Sequence, residues 1–183
     1  FIKYKFFNSL FLGTSVGSIF TIYAPLEPSV YSLGGIFLAL GMLFVATLYS
    51  KILNINYFYK ISLFVELVIL SVIIAFLLLS FNYQIALFVY IGYQLTFMFG
   101  SYLVRGETLI IKKDRLLTLI DVAKQFGYLL GLGASFLFYK FIEYQFQIID
   151  NQTQVFYIHY FLLLIEIIVI ILLVKSFEKF KHY

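Results

Sequence analysis

Charged and amide side chains inside long apolar stretches are the residues of this chain that could do chemistry. Asp121 and Lys124 lie about one helical turn apart in one apolar stretch, and Glu166 lies deep in another. Gln94 lies near the middle of a third. A charged side chain at the centre of a membrane-spanning helix costs about 2.5–3.5 kcal/mol on insertion scales, so each charge needs a partner or a task.

The candidates for a gate or a charge pair lie in the charged turn around residues 105–116 and in the apolar stretch that follows it. They are Arg105, Glu107, Asp121 and Lys124. Asp121 and Lys124 could bind an anionic or zwitterionic substrate, or they could neutralise each other and anchor the helix end. We also expect Arg105 to pair with Asp121 across the turn and to latch an inner gate. The alternative for Arg105 is a positive anchor at the membrane surface.

Other polar side chains near the middle of the apolar stretches are candidates for lining a substrate cavity, namely Thr14, Ser15, Tyr93, Gln94, Thr96 and Gln125. The Gln94 amide needs hydrogen-bond partners, which could be substrate groups or Thr14 and Ser15 of a neighbouring helix. Glu166 is a possible carrier of a coupling proton, and the alternative is a neutral carboxyl group bonded to a neighbouring helix. We expect Glu66, near the start of another stretch, to be structural.

Several classes of site are not expected. The chain has no cysteine, and its two histidines, His159 and His182, lie at opposite ends of one apolar stretch. The sequence has no phosphate-binding loop, no Ser/His/Asp set and no carboxylates at catalytic spacing. We therefore expect no enzyme, no metal site and no cofactor. The net charge of +4 carries no basic run interleaved with aromatics, so a nucleic-acid partner is not expected either.

The composition indicates that these side chains sit in a lipid bilayer. Of 183 residues 63% are hydrophobic and 12% are charged, and the mean hydropathy is +1.00. Soluble domains have about 25% charged residues, and a soluble chain of this size could not bury so much apolar surface. Frequent Phe, Ile, Tyr, Lys and Asn with no Trp is typical of AT-rich coding. We expect a bacterial inner membrane, with an organellar inner membrane as the alternative.

Six apolar stretches can each cross a bilayer as a helix, which needs roughly 20 residues. They are continuously apolar, which excludes the alternating pattern of barrel strands. The sequence therefore predicts an all-α integral membrane protein, one six-helix domain over 1–183. The predicted spans are 6–26, 29–50, 61–81, 85–104, 117–140 and 155–176.

Basic residues predict the orientation of these spans. Eleven of the thirteen Lys and Arg residues fall at one end of the predicted bundle, and only Lys140 falls at the other. Cytoplasmic loops carry the excess of positive charge, so both termini should be cytoplasmic. The eleven are Lys3, Lys5, Lys51, Lys60, Arg105, Lys112, Lys113, Arg115, Lys175, Lys179 and Lys181.

Small residues are concentrated in the first, second, fourth and fifth spans. Small residues four apart let helices approach closely in lipid. We expect the pairs first/second and fourth/fifth to form the packed interior, with the third and sixth outward against lipid, as two inverted three-helix repeats. The alternative is ordinary variation between helices. The expected packing residues are Gly13, Gly17, Gly35, Gly92, Gly100, Gly127 and Gly131.

The whole chain resembles one six-helix half of a major facilitator superfamily transporter. The resemblance rests on the Pro25 and Pro28 turn, the Gly-rich second span from Ser32, Arg105 at the end of the fourth span, and the Gly-rich stretch 127–133. It implies secondary active transport of a small solute or ion by alternating access, with a cavity between the first, second, fourth and fifth spans. It also implies a second six-helix half, in the same chain or in a homodimer. The alternative is a non-transporting membrane subunit or scaffold of a larger complex.

Overall fold

The structure is a computed structural model that describes residues 1–79, 81–111 and 113–178. In these residues the regular structure is helical throughout, with no strand. Lys112, Lys179, Lys181 and His182, which the sequence analysis used, lie outside the described residues. The helices are α1 (Ile2–Tyr23), α2 (Pro28–Thr47), α3 (Tyr49–Ile52), α4 (Ile55–Leu78), α5 (Tyr83–Phe97), α6 (Gly100–Ile110), α7 (Asp114–Phe146) and α8 (Asn151–Phe177).

Six helical segments are long and apolar enough to cross a membrane. They are α1, α2, α4, α5 with α6 as one segment (Tyr83–Ile110), α7 and α8. The expectation of an all-helical, multi-pass membrane protein is therefore confirmed. Several helices extend beyond the predicted spans, because capping sets a helix end while hydropathy marks only the part inside lipid. The Asn54 side chain accepts the Tyr57 N–H and starts α4 at Ile55, six residues before the predicted span.

The fourth membrane segment is broken between α5 and α6. The Thr96 hydroxyl donates to the Tyr93 carbonyl at 2.8 Å, and the Phe99 N–H bonds to the Thr96 carbonyl three residues back. A Thr side chain that bonds a carbonyl of its own helix tends to bend that helix, and the tighter bond at Phe99 changes its direction. Beyond the break, Tyr102 of α6 donates to the Ile52 carbonyl at 2.8 Å.

The closest helix pair is α1 with α7, and glycines make it possible. A Cβ added at Gly13 would lie 2.3 Å from the Tyr128 carbonyl oxygen, and one added at Gly127 would lie 2.3 Å from the Phe6 oxygen. Gly131 faces the Leu10 oxygen in the same way. Backbone thus lies directly against backbone along this contact, as small residues allow in membranes.

The other expected packing glycines are divided. Gly17 faces the Tyr139 ring, and Gly92 faces Val72 of α4. Gly35 and Gly100 have open space where a Cβ would stand. The small-residue pattern therefore marks close helix contacts at some positions, but it does not by itself say which face of a helix is covered.

The third and sixth spans are central, so the expectation that they lie outward is wrong. α8 packs against both α1 and α4, and it buries residues along its whole length from Val155 to Phe177. α2, expected in the interior, buries only Val45. Bulky Leu, Ile and Val side chains fill the volume where three helices meet, whereas small residues suit a close contact between two. Lipid is as apolar as Leu, so composition alone does not distinguish the two locations.

Candidate functional site

Two glutamates meet where α1, α4 and α8 come together. Glu66 of α4 is 1% exposed, and Glu166 of α8 is fully buried. The two carboxyl groups are neighbours and interact electrostatically. Two acidic groups this close together in an apolar interior are costly unless something lies between or around them.

Of the four carboxyl oxygens of the two glutamates, one accepts hydrogen bonds from other described side chains and three do not. The Tyr4 hydroxyl donates to Glu66 Oε1 at 2.7 Å, and the Asn8 amide donates to the same oxygen at 3.0 Å. Among the described residues, nothing donates a hydrogen bond to Glu66 Oε2 or to either oxygen of Glu166. A buried polar atom without a partner costs free energy, so these three acceptors require an explanation.

If the Phe level, defined next, marks one edge of the apolar core of the membrane, both carboxyl groups lie near the middle of the membrane thickness. The rings of Phe1, Phe58 and Phe177 are about 6 Å apart and mark one level of the bundle, here called the Phe level. At 1.5 Å per helical residue, Glu66 is about 12 Å and Glu166 about 16 Å from this level. The apolar core of a bilayer is about 30 Å thick, so the pair lies near its centre.

A chain of ion pairs lies closer to the Phe level. Glu107 of α6 accepts Lys5 of α1 at 2.6 Å through Oε2 and contacts Lys124 of α7 through Oε1. Lys124 also reaches Asp121 at 3.4 Å. Lys5 and Glu107 are buried, while the Asp121 side chain is 71% exposed. The chain therefore runs from the surface of α7 to the interior beside Tyr4.

Glu107 also lies on the wall of a cavity of about 670 Å³ at the Phe level. Most of the lining is apolar, with Phe58 and Ile120 as examples, and Lys3 and Lys113 add positive charge. We call this cavity the vestibule. The buried Glu107 carboxylate, which is paired with two lysines, therefore lies at the edge of a space large enough for water or a small solute.

Arg105 does not pair with Asp121, so the expected latch is wrong. The Arg105 guanidinium lies 5.5 Å from the centre of the Tyr49 ring, and no ion pair joins it to Asp121 among the described residues. The reason is the geometry of the α-helix, in which side chains two residues apart are separated by about 200° around the helix axis and therefore point to nearly opposite sides. With Glu107 turned inward to α1 and α7, Arg105 must point outward to α3. The charge pair at this turn is Glu107 with Lys124.

The expected cavity side chains do not form one site. The hydroxyl groups of Thr14 and Ser15 donate to carbonyls of their own helix, at 2.8 and 2.9 Å, as that of Thr96 does in α5. Tyr93 interacts with Ser15 across the α5–α1 contact.

The two expected amides differ in their surroundings. The side-chain oxygen of Gln94 is buried and has no hydrogen-bond partner among the described residues. Gln125 is exposed on α7.

Sequence reasoning identified Glu166 but missed its neighbours. Glu66 was expected to be structural, and Tyr4 and Asn8 were not singled out. The sequence does contain a signal that these two residues meet, which is their position along their helices. Glu66 and Glu166 are the acidic residues of α4 and α8, and each lies about the same distance from the basic end of its helix. Helices that run in opposite directions bring such residues to one level.

The site is therefore a buried pair of carboxyl groups. The chain of ion pairs around Glu107 connects this pair to the vestibule. Among the described residues, no three His, Cys, Asp or Glu side chains come together as a metal site. His159 is buried against the Phe76 ring with Nδ1 2.6 Å from the Val155 carbonyl oxygen. Comparison with protein-family models, curated proteins and solved structures gives no match.

Proposed function

We propose that this chain is one half of a secondary active transporter, which moves a small solute by alternating access. Its six spans form two inverted triplets with both termini on the cytoplasmic side. A bacterial inner membrane is the proposed location. The resemblance to the major facilitator superfamily supports this function, and the helix packing described next carries it.

Several helix contacts have a counterpart when the first triplet is exchanged for the second, although the contact of α1 with α7 is much more extensive than its counterpart and that of α7 with α8 has none of similar size. The first span packs on the fifth (α1 on α7), and the fourth packs on the second (α5 and α6 on α2). The first packs on the sixth (α1 on α8), and the fourth packs on the third (α5 and α6 on α4). The third and sixth pack on each other (α4 on α8). Inverted repeats of this kind are typical of secondary transporters.

The distribution of charge supports the proposed orientation. Basic residues of the described chain gather at the end of the bundle that holds the Phe level, for example Lys3, Lys51 and Arg115. At the opposite end Lys140 is paired with Glu143 at 2.7 Å, which offsets its charge. The positive-inside rule then puts the vestibule on the cytoplasmic side.

A second six-helix half would complete the transporter by covering α2 and α7. α2 buries only Val45, and Gly35 of α2 and Gly133 of α7 have open space where a Cβ would stand. Gln125 and Thr118 place polar groups on the exposed side of α7, which suits a cavity or a partner better than lipid. The second half is supplied by the same polypeptide or by a second copy.

Reconstitution tests the proposed function. The polypeptide is purified from native membranes, inserted into liposomes, and assayed for uptake of labelled amino acids, sugars, nucleosides and organic anions. A transporter gives uptake of one class above protein-free liposomes, and that solute raises the thermal stability of the detergent-solubilised protein. Absence of both uptake and stabilisation across the panel would contradict the proposal and favour a non-transporting scaffold.

A further inference from the structure

The unpartnered oxygens of Glu66 and Glu166 point to a ligand that supplies a hydrogen-bond donor. We propose that the two carboxyl groups together bind one proton, so that the carboxylic O–H of one donates to a carboxylate oxygen of the other. The role of this proton as the coupling ion rests on the proposed transport function. The presence of the proton between the two glutamates does not depend on that function.

The hydrogen-bond geometry shows why the missing group is a proton. Both nearby donors, Tyr4 and Asn8, act on Glu66 Oε1, so the atoms that remain are acceptors only. Two carboxylates side by side repel each other, and one proton converts that contact into a charge-assisted hydrogen bond. The same reasoning explains paired carboxyl groups that share a proton in catalytic sites.

The surroundings fit a proton better than a metal cation. The groups that reach the pair, the Tyr4 hydroxyl and the Asn8 amide, present hydrogens and not lone pairs. Na⁺ and Ca²⁺ are held by oxygen lone pairs, and Ca²⁺ takes about six to eight of them. Three free carboxyl oxygens are too few for such a shell.

The other titratable and charged groups near the pair come from three helices. Tyr4 and Lys5 belong to α1, Tyr93 to α5 and Glu107 to α6. The charge of Lys5 is already matched by Glu107 at 2.6 Å. The pair is therefore left with two potential negative charges and no dedicated cation of its own, and one bound proton lowers this to a single charge.

These groups also define a path for the proton. The vestibule reaches Glu107, Lys5 follows, and Tyr4 on the next residue position contacts Glu66. Glu166 lies deeper, and Tyr93 with Ser15 lies beyond it. Binding forms an O–H bond on one carboxylate and release breaks that bond. No electrons are transferred and no other reactant is needed.

Infrared difference spectroscopy of the purified full chain in lipid tests the proposal. A protonated carboxyl group has a C=O stretching band that is absent from a carboxylate and shifts in D₂O. We expect this band in the wild-type protein near neutral pH. Glu166→Gln and Glu66→Gln should each abolish it, because the new amide donates to the remaining carboxylate and replaces the proton. Glu143→Gln, which changes a carboxylate at the opposite end of the bundle, is the matched control and should retain it.

The possible outcomes separate this proposal from its rivals. No band in the wild-type protein overturns the proposal without any variant, so a misfolded variant does not block the test. A band that survives both Glu66→Gln and Glu166→Gln, or that disappears in Glu143→Gln, places the proton elsewhere and also overturns it. Loss of the wild-type band on adding Na⁺ at constant pH means that a metal cation occupies the pair. Presence of the band without solute uptake would retain the proton site and remove only the transport function.

Discussion

Glu107 is the residue on which the charges at the Phe level depend. It is buried and accepts both Lys5 and Lys124, so its loss leaves the buried Lys5 without its counter-ion and Lys124 with only Asp121 at 3.4 Å. Removing one partner of a buried ion pair is strongly destabilising, because the charge that remains is uncompensated. Lys124 is about one-quarter exposed and can turn partly to water, which moderates the effect.

We therefore expect Glu107→Gln to lower the free energy of unfolding by about 3 kcal/mol, the lower end of the range for breaking buried pairs. Asp121→Asn is the matched control, because it removes an exposed carboxylate from the same chain of ion pairs. Its effect should be under about 1 kcal/mol. Unfolding in mixed detergent micelles measures both values. Equal effects of the two variants would contradict the central role of Glu107.

Arg105 is expected to act through Tyr49. A guanidinium over an aromatic ring at an exposed site contributes about 0.5–1 kcal/mol. A double-mutant cycle with Arg105→Ala and Tyr49→Leu should therefore show a coupling energy of this size. The same cycle with Arg105→Ala and Asp121→Asn should be additive. A coupling energy between Arg105 and Asp121, and none between Arg105 and Tyr49, would instead support the expected Arg105–Asp121 pair across the turn.

At the residue scale, the sequence shows which side chains are unusual but not which of them meet. Glu166 is recognisable because a carboxyl group deep in an apolar span needs a reason. Its neighbour Glu66 depends on the relative rotation and depth of α4 and α8, and hydropathy contains neither. The Arg105 error has the same origin, because the rotation of α6, which turns Arg105 toward Tyr49 and Glu107 toward Lys124, cannot be read from hydropathy.

At the element scale, the contact between α1 and α7 requires glycine at specific positions. A Cβ at Gly131 would lie 2.3 Å from the Leu10 carbonyl oxygen, and this backbone cannot move away as a side chain could. Gly131→Ala should push the two helices apart and cost about 1–3 kcal/mol of stability. Gly133→Ala, two residues along the same helix, meets open space. It should be neutral or stabilising by under about 1 kcal/mol, since alanine favours the helix.

Thermal unfolding of the two glycine variants in detergent checks this prediction. The comparison is sharp because both change glycine to alanine in α7 and differ only in what the new methyl group meets. A destabilised Gly133→Ala would show that the exposed side of α7 is covered in the native protein, as a second half would cover it. An unchanged Gly131→Ala would contradict the close contact with α1.

The start of α8 should be sensitive to acid. Asp150 accepts the Thr153 hydroxyl at 2.7 Å and the Thr153 N–H at 2.8 Å, and these hydrogen bonds hold the pKa of Asp150 below its ordinary value. Its capping contribution is complete above about pH 4, the ordinary value for Asp, and is lost as the pH falls through the lowered pKa. Hydrogen exchange of the Thr153 amide should therefore become faster at acid pH relative to Asp150→Asn, which caps without titrating. Identical behaviour of both proteins would rule out the effect.

The helices themselves could be predicted, and their arrangement only in part. Apolar length fixes the six spans, because any backbone inside lipid must satisfy its hydrogen bonds within a helix. The small-residue pattern marks α1 and α7 as helices that can pack closely, but it paired α1 with α2 in place of α7, and it misplaced α4 and α8. Lipid and protein interior are both apolar, so the position of a Leu-rich helix is decided by which neighbours it fits and not by its composition.

At the scale of the whole molecule, the basic residues at one end fit the proposed inverted triplets. If the first triplet starts in the cytoplasm, the second starts on the opposite side, and all loops with excess Lys and Arg lie at the Phe level. The vestibule and the ion pairs of Glu107 then face the cytoplasm. The carboxyl pair then lies near the middle of the membrane, and Tyr93 and Ser15 lie beyond it.

Labelling of single cysteines tests this orientation, and the cysteine-free chain is a ready background for it. Ser50 and Thr118 are exposed at the vestibule end, whereas Ser29 and Gln152 are exposed at the other. On intact cells, an impermeant maleimide should label Ser29→Cys and Gln152→Cys only. Inside-out vesicles should give the reverse pattern, with Ser50→Cys and Thr118→Cys labelled. Labelling of all four from one side would contradict six crossings. A clean reversal of sides would keep the fold but turn the vestibule outward, so that a proton bound by Glu66 and Glu166 would enter from outside the cell.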